Sequence, residues 1–483
     1  MVWSNYKPES PPENLYNPYG LHHSHLTTRV YFPPTPTLSG TACLLMGIIL
    51  AYMLYPSGET PSEMARVTAI AIGIAFLASV FFDGRKGLYN LFRTDLLCLI
   101  GIYGLTLAEF LFPQDDFNRI VEVMGTAHAL DAVLLGITGL TLGRHLVTTK
   151  PIRSDRINLE ISNATLFRTI VVCAFMGYLY MLISVQFNPL ALIDGMLGPR
   201  FSEPWTRGRL GSWSSLLTEL NLLCYAIPPL TGVIWNRRQF FSRVQILIVL
   251  AIFALVMFQG FSSGTRNIFI AYVATFLMGY LLTLRVNNFR NTILPILVAV
   301  FISLFASYHM LEFRTMGLRN YIVNQVYAGD TVRQTLAVDY NLVSLAPVID
   351  AFPDKHPFLG FEIISWALIK PVPRAFWPGK PEGLSVSIEE LTGAKGWTVA
   401  TTYLGESYMM AGWLGVIGMS LLFGALAAWW NRMAIQGQSD YSLVVYALGF
   451  FAAGITMRSM FWLTTAILPV IALLVFRKFG FGR

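Results

Sequence analysis

Charge is what this sequence has least of. Asp, Glu, Lys and Arg make up 13% of its 483 residues, against about 25% in a soluble domain, and that deficit argues against a soluble enzyme of this length. Cysteine is scarce as well. Cys43, Cys98, Cys173 and Cys224 each sit inside an apolar stretch, where neither a disulfide framework nor a metal-ligand spacing can be read. A long basic run is also missing, so the net charge of +7 does not point to nucleic acid as a partner. The chain has no Walker-type loop, no GxSxG, no HExxH and no acidic pair spaced for a divalent metal and a nucleotide sugar. Neither a cofactor nor a metal is therefore expected.

Apolar residues are present in abundance. They reach 54% of the chain, with a mean hydropathy of +0.55. Crossing roughly 30 Å of hydrocarbon takes about 20 predominantly apolar residues, and about twelve such stretches occur, near 38–55, 65–82, 95–112, 126–147, 166–187, 213–235, 244–262, 267–285, 291–309, 412–431, 441–457 and 459–476. Lipid cannot satisfy an open backbone, so these predict helices packed through Gly and other small residues. The fold class is thus an all-α polytopic membrane protein. Its parts are a Pro-rich tail over 1–37, spans one to nine over 38–309, a long loop over 310–411, and spans ten to twelve with a short tail over 412–483. The polar, Pro-rich lead argues against a cleaved signal peptide.

Lys and Arg fix the orientation. One side, which includes both tails, holds 19 of the 34; the other holds 15, of which 8 lie in the 310–411 loop. Long loops count little in this rule, and 19 against 7 places both termini in the cytoplasm and the long loop outside. Within that loop, FLGFEIISWALI at 358–369 is too short to span and reads as an interfacial helix. KPVPRAFWPGKP at 370–381 follows it, stiffened by four prolines.

Outward arginines are the main chemical signal. Arg266 lies at a hairpin tip in FSSGTRN and Arg458 between the last two spans in TMRSMFW. A cation at a span centre costs about 2.5–3.5 kcal/mol and less near its end, so each needs an anion, a wet cavity or snorkelling to the headgroups. Loop 188–212 adds Arg200, Arg207 and Arg209, and the long loop adds Arg314, Arg319, Lys370, Arg374 and Lys380. Positive charge on this face runs against the usual asymmetry. Guanidinium forks suit phosphate oxygens, which points to a phosphate or pyrophosphate at headgroup level and hence to a lipid-linked substrate; binding of anionic headgroups is the plainer alternative.

Candidate acids and bases on the same side are Glu406, Glu312, Asp339, Glu389, Glu390, His309 and His356. Glu406, in TTYLGESYMMAGWLG, stands just before a span, where a carboxylate could accept a proton from an attacking hydroxyl or pair with an arginine. Glu109, His128, Asp131 and Glu219 fall inside spans and are better explained by hydrogen bonds between helices than by a proton relay. Trp205, Trp213, Trp366, Phe376, Trp377, Trp397, Trp413 and Trp462 gather on the outward side. Interfacial belts account for most of them, while Trp377 and Trp397 are candidates for stacking on sugar. Nucleotides are absent from that face, so the energy for a transfer would come from the substrate's own leaving group.

The order PWTRGRLGSW, SSGTRN, EFRTMG, PVPRAFWPGKP, YLGESYMMAGWLG and MRSMFW resembles the O-antigen or oligosaccharide repeat-unit polymerases (Wzy type), over about residues 200–460 and best over 370–415. The resemblance implies a GT-C-like, metal-independent glycosyltransferase of the bacterial inner membrane, active on the periplasmic face. It would move a growing glycan from undecaprenyl pyrophosphate onto a new lipid-linked repeat unit, alongside a chain-length-regulating co-polymerase. It also implies roles for residues. Arg207, Arg209, Arg266 and Arg314 would bind pyrophosphate and stabilise its developing charge; Arg374 and Lys380 would hold the second lipid pyrophosphate or the glycan; Glu406 would orient or deprotonate the acceptor hydroxyl. Arg319, Lys370, Trp377 and Arg458 are further candidates for binding substrate. The ligase type, which transfers the same glycan to another acceptor, shares these features. A flippase or exporter would instead place charge along a central passage, and a scaffold would leave the outward arginines unexplained.

Overall fold

The computed structural model describes residues 34–147, 162–200, 202–205, 214–284, 289–314, 316–323, 341–374, 376–391, 400–435 and 440–478. Among these, the elements are helices and turns, with no strand. The helices used below are α1 (Leu38–Leu54), α2 (Pro61–Gly84), α3 (Thr94–Thr106), α4 (Val123–Gly143), α5 (Asn163–Ser184), α6 (Pro189–Leu197), α7 (Ile227–Asn236), α8 (Arg243–Ser262), α9 (Arg266–Leu282), α10 (Phe289–Phe313), α11 (Leu318–Val323), α12 (Asn341–Ala351), α13 (Phe361–Ile369), α14 (Thr402–Ile435), α15 (Asp440–Arg458) and α16 (Leu468–Lys478).

Nine helical segments among the described residues are long and apolar enough to cross a membrane: 38–57, 61–84, 123–143, 163–184, 217–236, 243–262, 290–310, 402–434 and 441–458. The chain therefore has the architecture of a multi-pass membrane protein. Four apolar helices are shorter, at 94–106, 266–282, 341–351 and 460–475. Three of these fall on stretches expected to span, and each is shorter than the stretch expected. After α3 the chain tightens into a 3-10 turn at Ala108–Leu111. α9 ends at Leu282. The last stretch is divided into Met460–Trp462, Leu463–Ala466 and α16.

Local sequence starts the helices. Thr60 and Glu63 form a capping box at α2, as do Ser242 and Gln245 at α8, each satisfying two otherwise orphaned N–H groups. Packing relies on small residues, as expected for spans in lipid. Gly136, Gly139 and Gly143 on α4 face Leu404, Ser420 and Leu421 of α14; a side chain at Gly143 would collide with the Leu421 carbonyl at 2.3 Å. Gly232 of α7 and Gly279 of α9 bring those two backbones together in the same way.

α14 is not one straight helix. Ala411 and Gly412 leave helical geometry, with φ 61° and ψ −143° at Gly412, a region open to glycine. Tyr403 Oη bonds Ser420 Oγ at 2.9 Å, and a Cβ on Gly415 would lie 2.0 Å from the Ser407 carbonyl. Residues 403 and 420, and 407 and 415, lie on opposite sides of the break at nearly equal separations, so 402–411 runs back along the following helix as an antiparallel hairpin. The end of the long connection thus enters the bundle before the chain crosses it.

Arg93 and Arg144 are two of the 19 basic residues on the side with the majority, and both are buried, at 0% and 1% exposure. Arg93 reaches Asp83 at 2.6 Å and Asp95 at 3.1 Å, and Arg144 lies 3.7 Å from Asp95. Asn431 of α14 donates to Asp95 at 2.5 Å and accepts from the Thr94 N–H at 2.7 Å. Tyr446 Oη of α15 donates to the Phe92 carbonyl at 2.7 Å. The two cations and two carboxylates balance, and they tie α2, α3, α4, α14 and α15 together at the end of the bundle remote from the long connection.

Candidate functional site

The long-connection end carries the second charged cluster, and backbone geometry assembles it. Gly264 (φ 61°) would, with a side chain, meet Arg314 Cα at 3.0 Å, so Arg314 packs directly on the turn that leads into Arg266, the first residue of α9. A Cβ on Gly317 would lie 2.7 Å from the Gly198 carbonyl carbon and the Pro199 nitrogen, so this glycine brings the connection after α6, with Arg200, to the same place. Burial, followed by the proximity of Arg314, lowers the basicity of the Arg200 guanidinium; Glu203 opposes this, and Arg458 adds to it. Arg200, Arg314 and Arg458, from the ends of three separate segments, therefore share one field with Glu203, and Arg266 begins the helix that follows the Gly264 turn beside them. Arg200, named in the sequence only as part of a charged loop, lies beside Arg314 and Arg458; nothing in its local motif sets it apart from Arg207 and Arg209.

Glu406 adjoins this cluster through the turn after Arg458. Ser459 is extended (φ −166°) where α15 stops. Its hydroxyl donates to Glu406 Oε1, and the Met460 N–H donates to Oε2 at 2.6 Å. Glu406 is 2% exposed and works as a cap supplied by another helix: its carboxylate takes the first N–H of the Met460–Trp462 turn. Lys370 is close enough to act on its charge, and the Lys370 Nζ stands 4.1 Å from the Trp462 ring centroid, a cation–π arrangement.

The Pro-rich segment packs against the same turn. Lys380 Nζ donates to the carbonyls of Lys370 and Val372 at 2.6 and 3.0 Å and lies over Trp366 at 5.7 Å. Thr464 Oγ1 bonds the Ala367 carbonyl at 2.6 Å. Lys380 thus closes the loop that presents Lys370. Arg374 is exposed and donates to the Pro381 carbonyl at 3.4 Å, and Trp377 is exposed on the same segment. Arg319 on α11 pairs with Asp194 on α6 at 3.3 Å.

The structure therefore brings together Arg266, Arg314, Arg458, Glu406 and Lys370, with Lys380 behind them. It gives Arg319 a carboxylate of its own and leaves Arg374 and Trp377 at the surface. Arg207, Arg209, Trp213, Trp397 and Asp339 lie outside the described residues. His309 bonds Tyr321 Oη at 2.8 Å, and Asp131 accepts from Tyr55 Oη at 2.9 Å, both contacts between helices. Among the described residues no group of three or more His, Cys, Asp or Glu is placed to hold a metal.

By its architecture this chain falls in the class of all-helical, multi-pass membrane proteins. A family model described as a domain of unknown function (DUF8712) matches residues 344–470, the stretch that carries Lys370, Glu406 and Arg458 but not Arg200, Arg266 or Arg314. No curated protein and no solved structure matches the chain.

Proposed function

We propose that the protein is a metal-independent glycosyltransferase that polymerises oligosaccharide repeat units carried on undecaprenyl pyrophosphate, at the outer face of the bacterial inner membrane. The observation that supports this most is the convergence of Arg200, Arg314 and Arg458, with the helix that Arg266 begins beside them, at the end of the bundle opposite the buried Arg93–Asp95 network. Three guanidinium groups with Glu203 among them leave the cluster positive, and guanidinium forks suit a multiply charged oxyanion. A lipid pyrophosphate is such an anion and also a leaving group, so the arginines would stabilise the charge that grows on it as the glycosidic bond breaks.

In this reading the chain crosses the membrane twelve times in a GT-C-like arrangement, with the three short helices completing the count and both termini in the cytoplasm. Arg266 and Arg314 contact the pyrophosphate directly. Glu406 acts through the turn it holds, fixing where Arg458 points, which makes it a positioning residue rather than the base. Lys370 and Lys380 border the site, and Arg374 and Trp377 face the substrate's approach. A chain-length-regulating co-polymerase would be the protein partner. The ligase type uses the same donor and would use the same arginines. A lipid-linked glycan flippase is favoured less, because charge gathers at the two ends of the bundle.

The test is reconstitution with purified lipid-linked repeat units. Wild-type protein should build a ladder of polymers, and Arg266→Ala and Arg314→Ala should each lower the rate by at least about a hundredfold, in the range for loss of a transition-state charge contact. Ladders at the normal rate from both variants would refute the pyrophosphate site. Addition of a single block to a different acceptor would indicate the ligase.

A further inference from the structure

A second surface at the same end has the opposite chemistry. His128 Nδ1 of α4 lies 3.3 Å from Asp350 Oδ1 of α12, with these side chains 40% and 49% exposed. Asp350 and Asp354 both act electrostatically on Tyr408 of α14. The Tyr408 ring packs edge-on against Trp413 at 5.0 Å and against Phe358 at 6.1 Å; Trp413 and Phe358 are 38% and 40% exposed. The surface is held rigidly. Phe358 closes on Gly412, where a Cβ would lie 2.9 Å from its Cζ, and the N–H groups of Leu359 and Gly360 donate to the carbonyls of Met409 and Met410 at 2.8 and 3.0 Å.

Its place relative to the arginines follows from helix geometry. Glu406 and Tyr408 are two residues apart, about 200° around a helix. Glu406 faces the Ser459–Met460 turn and Tyr408 faces Asp350, so the short arm of the α14 hairpin separates a cationic site from a carboxylate-and-aromatic one. A belt of interfacial aromatics explains rings near headgroups, but it does not explain a carboxylate held beside them by His128, with that of Asp354 close by, both of which repel anionic lipid. Open ring faces take apolar C–H patches, and carboxylates accept hydrogen bonds from hydroxyls. A ligand offering both, with no negative charge, is a neutral glycan.

We propose that Trp413, Phe358, Asp350, Asp354 and His128, backed by the buried Tyr408 ring, form a carbohydrate-binding surface that holds the sugar portion of a substrate whose phosphate end is taken by the arginines across α14. This rests on the glycan-transfer reading above, and it adds the place where sugar rather than phosphate is recognised.

The experiment separates the two. Full-length protein in nanodiscs is titrated with the free repeat-unit oligosaccharide, released from the host's lipid-linked units so that it carries neither lipid nor phosphate, and in parallel with inorganic pyrophosphate. Saturation-transfer NMR reads the first and calorimetry the second. Trp413→Ala and Asp350→Asn should each weaken glycan binding by about tenfold and leave pyrophosphate binding unchanged. Arg314→Ala should do the reverse. Trp413→Phe, which keeps a ring face, should retain most of the glycan affinity, and Trp429→Ala, another exposed tryptophan on α14, should not alter it. No glycan binding by the wild type, or equal binding by Trp413→Ala and Asp350→Asn, overturns the proposal. The polymer ladder, scored separately, shows whether the transferase reading stands without it.

Discussion

Replacing Asp95 by Asn tests the energetic argument most directly. Asp95 is 2% exposed, lies between Arg93 at 3.1 Å and Arg144 at 3.7 Å, and accepts from Asn431 of α14. An asparagine keeps the shape but removes the charge, leaving two buried guanidinium groups with Asp83 as their carboxylate partner in the network. Breaking one side of a buried pair costs about 3–5 kcal/mol, because the remaining charge cannot return to water. With unfolding entropy scaling with length, a chain of this size should lose on the order of 3–5 °C in Tm. The internal control is Arg119, which pairs with Asp116 at 3.7 Å while the two side chains are 85% and 76% exposed; Arg119→Ala should change stability by less than about 0.5 kcal/mol. Removing both members should repair most of the loss. In Asp95→Leu/Arg144→Met the Arg93–Asp83 pair at 2.6 Å remains neutral overall, and apolar side chains replace a pair whose desolvation was costly. Thermal unfolding of detergent-solubilised protein, followed by fluorescence-detected size exclusion, measures all three. An Asp95→Asn loss no larger than that of Arg119→Ala would refute the reasoning, as would a double variant as unstable as the sum of its parts.

Other expectations follow from the same geometry. Glu406→Gln should keep the fold and most of the polymerisation rate, since its amide can still accept the Met460 N–H and donate to Ser459; Glu406→Ala should lose about 1–3 kcal/mol through the stranded buried donor. Turnover abolished in Glu406→Gln with normal stability would restore the carboxylate as the base. Gly412→Ala should cost about 1–3 kcal/mol because of its φ and its 2.9 Å approach to Phe358. Gly418→Ala, on the same helix with nothing within 4 Å, should instead stabilise by roughly 0.5–1 kcal/mol; thermal melts of both check the hairpin. A reporter enzyme fused after Gly383 should be active outside the cytoplasm only, and cytoplasmic activity would reverse the proposed orientation.

What could be read from the sequence follows from how local each signal is. Long apolar runs are local, so the all-helical membrane class and most span positions were legible; α3 and the segment after Arg458 were overextended because their interruptions are made by packing and turns, which a hydropathy window averages away. The hairpin at Ala411–Gly412 was half visible, since the span was expected to begin at 412, but only Tyr403 meeting Ser420 shows that the preceding ten residues double back. Counting charge by side does not reveal what Arg93 and Arg144 do, for a related reason. A headgroup anchor and one half of a buried ion pair have the same letter, and the partners that decide between them, Asp83, Asp95 and Asn431, come from elements up to 337 residues away from Thr94. At the candidate site the residue types were right and their grouping was not. Arg319 has an acid that the sequence does not place near it, while Arg200 gains its importance from Gly317 and Gly264, whose missing side chains let three connections close on one point. Charge can therefore be counted from a sequence such as this one, but whether a cation is stored, paired or offered to a ligand depends on contacts between the ends of distant helices.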